Sequence, residues 1–142
     1  MNAKEKPQAS PATKPIRPGL FVERPRPLLL GSQCKETGKV FFPAQRMNPE
    51  THTEGTMEPV RIEGSGTLYS FTKVVRGLSG FASPYMLGVI QLDAGPSLIA
   101  QLEGWQGLAL KEGMRVELVV GQIKQEPDGT ALIGPKFRPV PA

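Results

Sequence analysis

Cys34, Thr37, Asn48 and Thr51 occupy four positions spaced like the two knuckles of a metal site. Two Cys-x-x-Cys pairs at that separation would place four thiolates around one zinc ion. Here only the first position is a cysteine. Cys34 and His52 are the sole cysteine and histidine of the chain, and Thr and Asn are poor zinc ligands. Glu36, Glu50 and Glu54 complete no recognised ligand spacing, so no structural metal is expected. The loop must instead be held by packing of Val40, Phe41, Phe42 and Met47 and by hydrogen bonds from Thr37, Asn48 and Thr51. Cys34 then reads as a small buried side chain.

The same inventory argues against catalysis by this chain alone. Nucleophilic catalysis needs a nucleophile, a base within reach and a group that orients the base. Cys34 and His52 are the only Cys/His pair, and both lie in the knuckle region. The carboxylates are scattered over turns, with no spacing suited to acid–base work. Gly64 and Gly66 flank Ser65, but no helix follows them, so a phosphate-cradling loop is not expected. Two basic pairs, Lys73 with Arg76 and Lys136 with Arg138, stand at strand ends; they either meet phosphate or are simply solvated. Trp105, between two glycines in Glu103-Gly-Trp-Gln-Gly107, either anchors a protein interface or plugs one end of a barrel. Phe71, Phe81 and Tyr85 either border a groove or belong to the core.

These residues sit on a chain of 142 residues with one cysteine and a pI of about 9.4. That length suffices for one ordinary domain with extensions. No apolar run approaches the roughly 20 residues of a membrane span, and the start of the chain lacks a signal-peptide core. A cytoplasmic location is the expectation. The charge is uneven: residues 1–18 balance to +3, and the remaining 124 to only +1. A phosphate-backbone binder concentrates Lys and Arg on one face of its folded body. This body is close to neutral, which argues against nucleic acid as a partner.

Residues 1–18 hold Pro7, Pro11, Pro15 and Pro18 among Lys, Ala, Ser and Thr, which predicts a disordered tail. Residues 19–59 form the knuckle-bearing segment, in which Pro25 and Pro27 exclude a continuous helix and Phe21 and Leu28 to Leu30 dock onto the domain. From residue 60 to 142 the pattern is of strands: 68–75, 85–92, 97–102, 114–120, and 130–133 extended to Phe137. Met114, Val116, Leu118 and Val120 face one way, and Arg115, Glu117 and Val119 the other. Five strands with turns between them predict an all-β fold, a small five-stranded OB-fold barrel. A short element over 108–113 is expected between the third and fourth strands.

Several stretches carry a family likeness: Cys34-Lys-Glu-Thr-Gly-Lys, Phe42-Pro43, Asn48-Pro-Glu-Thr51, Gly64-Ser-Gly-Thr-Leu-Tyr-Ser-Phe-Thr72, Pro84-Tyr85, Val89-Ile-Gln-Leu-Asp93, Gly113-Met114 and Pro135-Lys-Phe137. The chain resembles the acyl-CoA-associated OB-fold family that carries a rubredoxin-like zinc ribbon, a domain of unknown function. It departs from that family in three of four ligand positions, and in having the proline-rich stretch 18–27 where helices commonly precede the ribbon. The resemblance implies a non-catalytic accessory subunit in a hetero-oligomer, with a thiolase-type (beta-ketoacyl-CoA) enzyme as first partner and a hotdog-fold enoyl-CoA hydratase as the alternative. With three of four ligand positions lost, no cofactor is expected on this chain, and the resemblance implies a CoA thioester belonging to the partner. Lys73, Arg76, Lys136 and Arg138 are then the candidate contacts to CoA phosphate. Trp105, Phe42, Phe81 and Tyr85 are the candidate partner contacts.

Overall fold

The computed structural model describes residues 13–76, 80–81 and 84–140, and among these every regular element is a strand. In chain order they are β1 (Thr13–Pro15), β2 (Phe21–Val22), β3 (Leu28–Cys34), β4 (Val40–Phe41), β5 (Met57–Ile62), β6 (Ser65–Val74), β7 (Tyr85–Leu92), β8 (Ser97–Gln101), β9 (Arg115–Gln125) and β10 (Ala131–Pro139). No helix among the described residues is long and apolar enough to cross a membrane.

Period-2 alternation builds the barrel. On β7, Met86, Gly88, Ile90 and Leu92 point inward while Leu87, Val89 and Gln91 point out, the pattern of a strand with one buried face. Antiparallel pairing joins β6 to β7, β7 to β8, β9 to β10, and β9 back to β6. The remaining seam is parallel: Leu102 bridges Phe137, and Glu103 N donates to Phe137 O at 2.8 Å. The cyclic order β6-β7-β8-β10-β9 is that of a five-stranded OB barrel.

A second sheet packs on it, with β3 paired to β2, β4 and β5. Leu29 of β3 and Ile62 of β5 are buried in the same cluster as Leu68, Ile90, Val116 and Phe137 of the barrel. The two sheets thus share one core.

The Gly64-Ser-Gly66 motif is explained by that packing. A Cβ on Gly64 would lie 2.0 Å from Leu118 Cβ, and one on Gly66 2.7 Å from Gln91 O. Both glycines permit close approach between strands.

Several local expectations differ from the structure. Thr13–Pro15 fall within the stretch read as a disordered tail, yet they pair in parallel with Ala131–Ile133; residues 1–12 lie outside the described residues. The partner edge of β10 supplies what local composition does not: Ile16 N donates to Ile133 O at 2.7 Å, and Lys14 pairs with Glu126 at 3.1 Å. β9 runs on to Gln125, because β10 stays paired with it to the turn. The element expected over 108–113 is a set of turns, closed by Leu108 N to Trp105 O at 3.1 Å and Met114 N to Lys111 O at 3.3 Å. Met47, expected to pack in the loop, is 38% exposed, because Val40 and Phe42 already fill the side facing the core.

Candidate functional site

The knuckle segment keeps its turns. Gly38 N donates to Cys34 O at 2.7 Å, and His52 N to Asn48 O at 2.7 Å. Cys34 and Asn48 are both fully buried. Cys34 Sγ lies 3.6 Å from Thr56 Oγ1. The hydroxyl and the amide of Thr37 lower the Cys34 thiol to about 6, against the burial that raises it, with Thr56 also stabilising the thiolate. Cys34 is the small buried side chain expected, and the polar groups of the turn favour its thiolate.

Asn48 shows why zinc does not fit this donor set. Its Oδ1 accepts the Glu50 amide at 2.8 Å and the Thr51 amide at 3.3 Å. Those two donors fix which end of the carboxamide is oxygen. Nδ2, a donor and no metal ligand, is left facing the interior without a hydrogen-bond partner. Thr51 Oγ1 turns to Thr53 Oγ1 at 2.8 Å. One thiol, one amide nitrogen and two hydroxyls do not make a four-coordinate zinc site.

The second constellation is a cleft of about 550 Å³ at one end of the barrel, with Phe81, Tyr85, Trp105, Glu103 and Lys136 among its walls. Phe81 and Tyr85 stack at 5.8 Å between ring centroids. Lys73 Nζ stands 5.7 Å from the centre of the Trp105 ring, and Lys124 Nζ 5.5 Å from that of Phe81, both within cation–π range. Lys136 is sheltered: its Nζ donates to Gln122 O at 3.2 Å and lies 3.8 Å from Glu103 Oε2. The aromatic walls and ammonium groups suit a flat or apolar group that carries negative charge.

The cleft gathers Trp105, Phe81, Tyr85 and Lys136, with Lys73 at its rim through Trp105. Trp105 is half-buried against the core, so it plugs the barrel end and walls the cleft together. Phe42 is elsewhere, packed on the core just past β4. Arg138 is occupied by Glu117, which accepts its Nε at 2.7 Å. Arg76 is exposed in the turn after β6. Phe71 is 36% exposed and lies outside the cleft. Glu103, Lys124 and Gly121 were not singled out from the sequence. Gly121 carried a signal, a glycine inside an alternating strand: a Cβ there would sit 2.6 Å from Glu103 Oε2.

Comparison with known proteins adds to this geometry. The family model described as the C-terminal OB-fold domain of ChsH2 matches residues 59–121. A DUF35 domain-containing scaffold protein of Pyrococcus furiosus is 36% identical, over 79% of this chain and 83% of that protein. Benzoylsuccinyl-CoA thiolase subunit BbsA of Thauera aromatica is 35% identical, over 97% of this chain and 99% of its own length. The solved Ltp2-ChsH2(DUF35) aldolase superposes with a TM-score of 0.62 at 24% identity, over 79% of this chain and 84% of that one. At that identity the likeness speaks to the fold.

Proposed function

This chain belongs to the DUF35 family of acyl-CoA-associated OB-fold proteins, and from that premise we propose that it is a non-catalytic scaffold subunit of a thiolase-type enzyme. The observation that carries the reading is the end-to-end match to BbsA. The barrel, the second sheet and the knuckle segment all fall within what the two chains share. Relatives named DUF35 domain-containing scaffold proteins, that of Pyrococcus furiosus among them, support the same role. No relative compared above favours a hydratase-type partner.

In this reading the chemistry stays in the enzyme subunit, and this chain contributes surface. The cleft walled by Phe81, Tyr85 and Trp105 is where the anionic part of a CoA thioester would touch it, with Lys73 and Lys136 as the cations. Arg138, held by Glu117, and Arg76, beyond the cleft walls, are secondary candidates for that role. A near-neutral body argues against the alternative of a nucleic-acid groove. A cytoplasmic, hetero-oligomeric setting completes the proposal.

The test is purification of the tagged native chain, mass-spectrometric identification of what accompanies it, and assay of acyl-CoA thiolysis by the recovered complex. Stoichiometric recovery of a thiolase-type chain supports the reading. Recovery of the chain alone, with no effect on any acyl-CoA reaction, rules it out.

A further inference from the structure

The barrel has an open edge. β8 pairs with β7 along Ser97–Gln101, and only beyond it, at Leu102, does the chain reach β10. The bonds Leu92 N to Pro96 O (2.9 Å) and Leu102 N to Met86 O (2.8 Å) set the alternation. Leu98 and Ala100 therefore bond toward β7, and the main-chain groups of Ser97, Ile99 and Gln101 point away from it. Glu103, next in that outward series, uses its N–H on Phe137 O. No described residue pairs with the other three. Beside them lies an apolar groove of about 250 Å³ whose walls include Ile16, Leu87, Ile99 and Ile123 and which shares Phe81 and Tyr85 with the cleft described above.

Edge strands are ordinarily blunted by charge, proline or a bulge. Ser97-Leu-Ile-Ala-Gln101 has none of these, and Ile99 at its centre is 69% exposed. The adjoining outer face is equally uncharged: Val89 lies opposite Ile99 and Leu87 opposite Gln101. Such an edge and face need covering in the working assembly. A second copy of this chain is a poor cover. Two barrels joined along a five-residue edge would share a strip ~17 Å long and ~10 Å wide, roughly 350 Å² over both partners, far short of the ~1,200 Å² that a stable interface buries. A larger body can cover the neutral face while one of its segments follows the edge.

We propose that an extended, uncharged segment of the enzyme subunit adds to β8 as a further strand, hydrogen-bonding to Ser97, Ile99 and Gln101 and seating apolar side chains in the groove between Ile99 and Ile16. This rests on the scaffold-subunit reading above.

The experiment is hydrogen exchange by mass spectrometry on the free chain and on the native complex purified from cells. The amides of Ile99 and Gln101 exchange freely in the free chain and slow at least about tenfold in the complex. The Ile99→Pro variant removes an N–H that the fold does not use; with Ile99→Lys, it leaves the melting temperature of the free chain unchanged and weakens the complex by at least about tenfold. If an enzyme subunit is present but protection falls elsewhere, the edge is wrong and the subunit reading stands. A chain that purifies alone overturns both. Slowing that grows with the concentration of the free chain assigns the edge to a second copy, and slowing lost on deletion of residues 1–12 assigns it to the chain's own N-terminal segment. Either result overturns the proposal.

Discussion

Leu102 and Phe137 meet in the parallel bridge that closes the barrel, and Phe137 is completely buried there. The bridge lets five strands act as one core and fixes the end at which Trp105 and Lys136 converge. Truncating Phe137→Ala removes the ring from the centre of that seam. Large-to-small changes of this kind cost about 3–5 kcal/mol. Urea unfolding at constant m should report a loss of that size, and a loss below about 1 kcal/mol would mean that the seam is not where the core is anchored.

Gly64→Ala should destabilise by at least about 1–3 kcal/mol through overpacking, since the added methyl would fall 2.0 Å from Leu118 Cβ. Thermal melting is the readout. An unchanged melting temperature would contradict the packing explanation of the Gly64-Ser-Gly66 motif.

The Cys34 thiol, lowered to about 6 by Thr37, predicts a pH dependence with a definite sign. The unfolded thiol titrates near ~8.5, so the folded state favours the thiolate. The resulting stabilisation is fully present above ~8.5 and is lost as pH falls through about 6. The stability difference between the native chain and Cys34→Ala should therefore widen from acid toward pH 9. Thiolate ultraviolet absorbance should titrate with a midpoint near 6; a midpoint at or above ~8.5 would show that the donors do not engage the sulfur.

Metal removal should change nothing. Elemental analysis of native protein is expected to find no stoichiometric zinc, and a chelator should leave the melting temperature where it was. Zinc near one per chain, or unfolding by the chelator, would reinstate the metal despite the Asn48 carboxamide.

Lys136→Ala tests the cleft. It takes away the sheltered cation facing Glu103 and should raise the KM of the complex for its CoA thioester about fivefold with kcat unchanged, the mark of lost uniform binding. Steady-state kinetics decide it. An unaltered KM would remove CoA from the cleft.

The limits of a linear reading follow from where its information lies. β7 was legible to the residue, because Tyr85–Leu92 is an apolar run bounded by Pro84 and by the turn Asp93-Ala-Gly-Pro96. β6 begins three residues earlier than its apolar pattern, at Ser65, because Gly66 and Ser65 pair with Val116 and Glu117 of β9; glycine and serine carry no strand signal of their own. β1 was hidden for the same reason: Thr13-Lys-Pro15 is a strand only because β10 has an edge to offer.

The site followed a similar rule. Trp105, Phe81, Tyr85 and Lys136 could each be nominated from type and setting, but they come from separate segments, and only barrel closure makes them one cleft. Lys136 and Arg138 looked equivalent in sequence. Their different fates depend on cross-strand neighbours, Gln122 with Glu103 for one and Glu117 for the other.

The most direct test of the scaffold reading is reconstitution. The enzyme subunit that accompanies the native chain is expressed with and without it, and acyl-CoA thiolysis is measured in both preparations. The account predicts that the enzyme subunit alone is inactive or insoluble and that adding this chain restores turnover. Equal thiolysis in the presence and absence of the chain would contradict it.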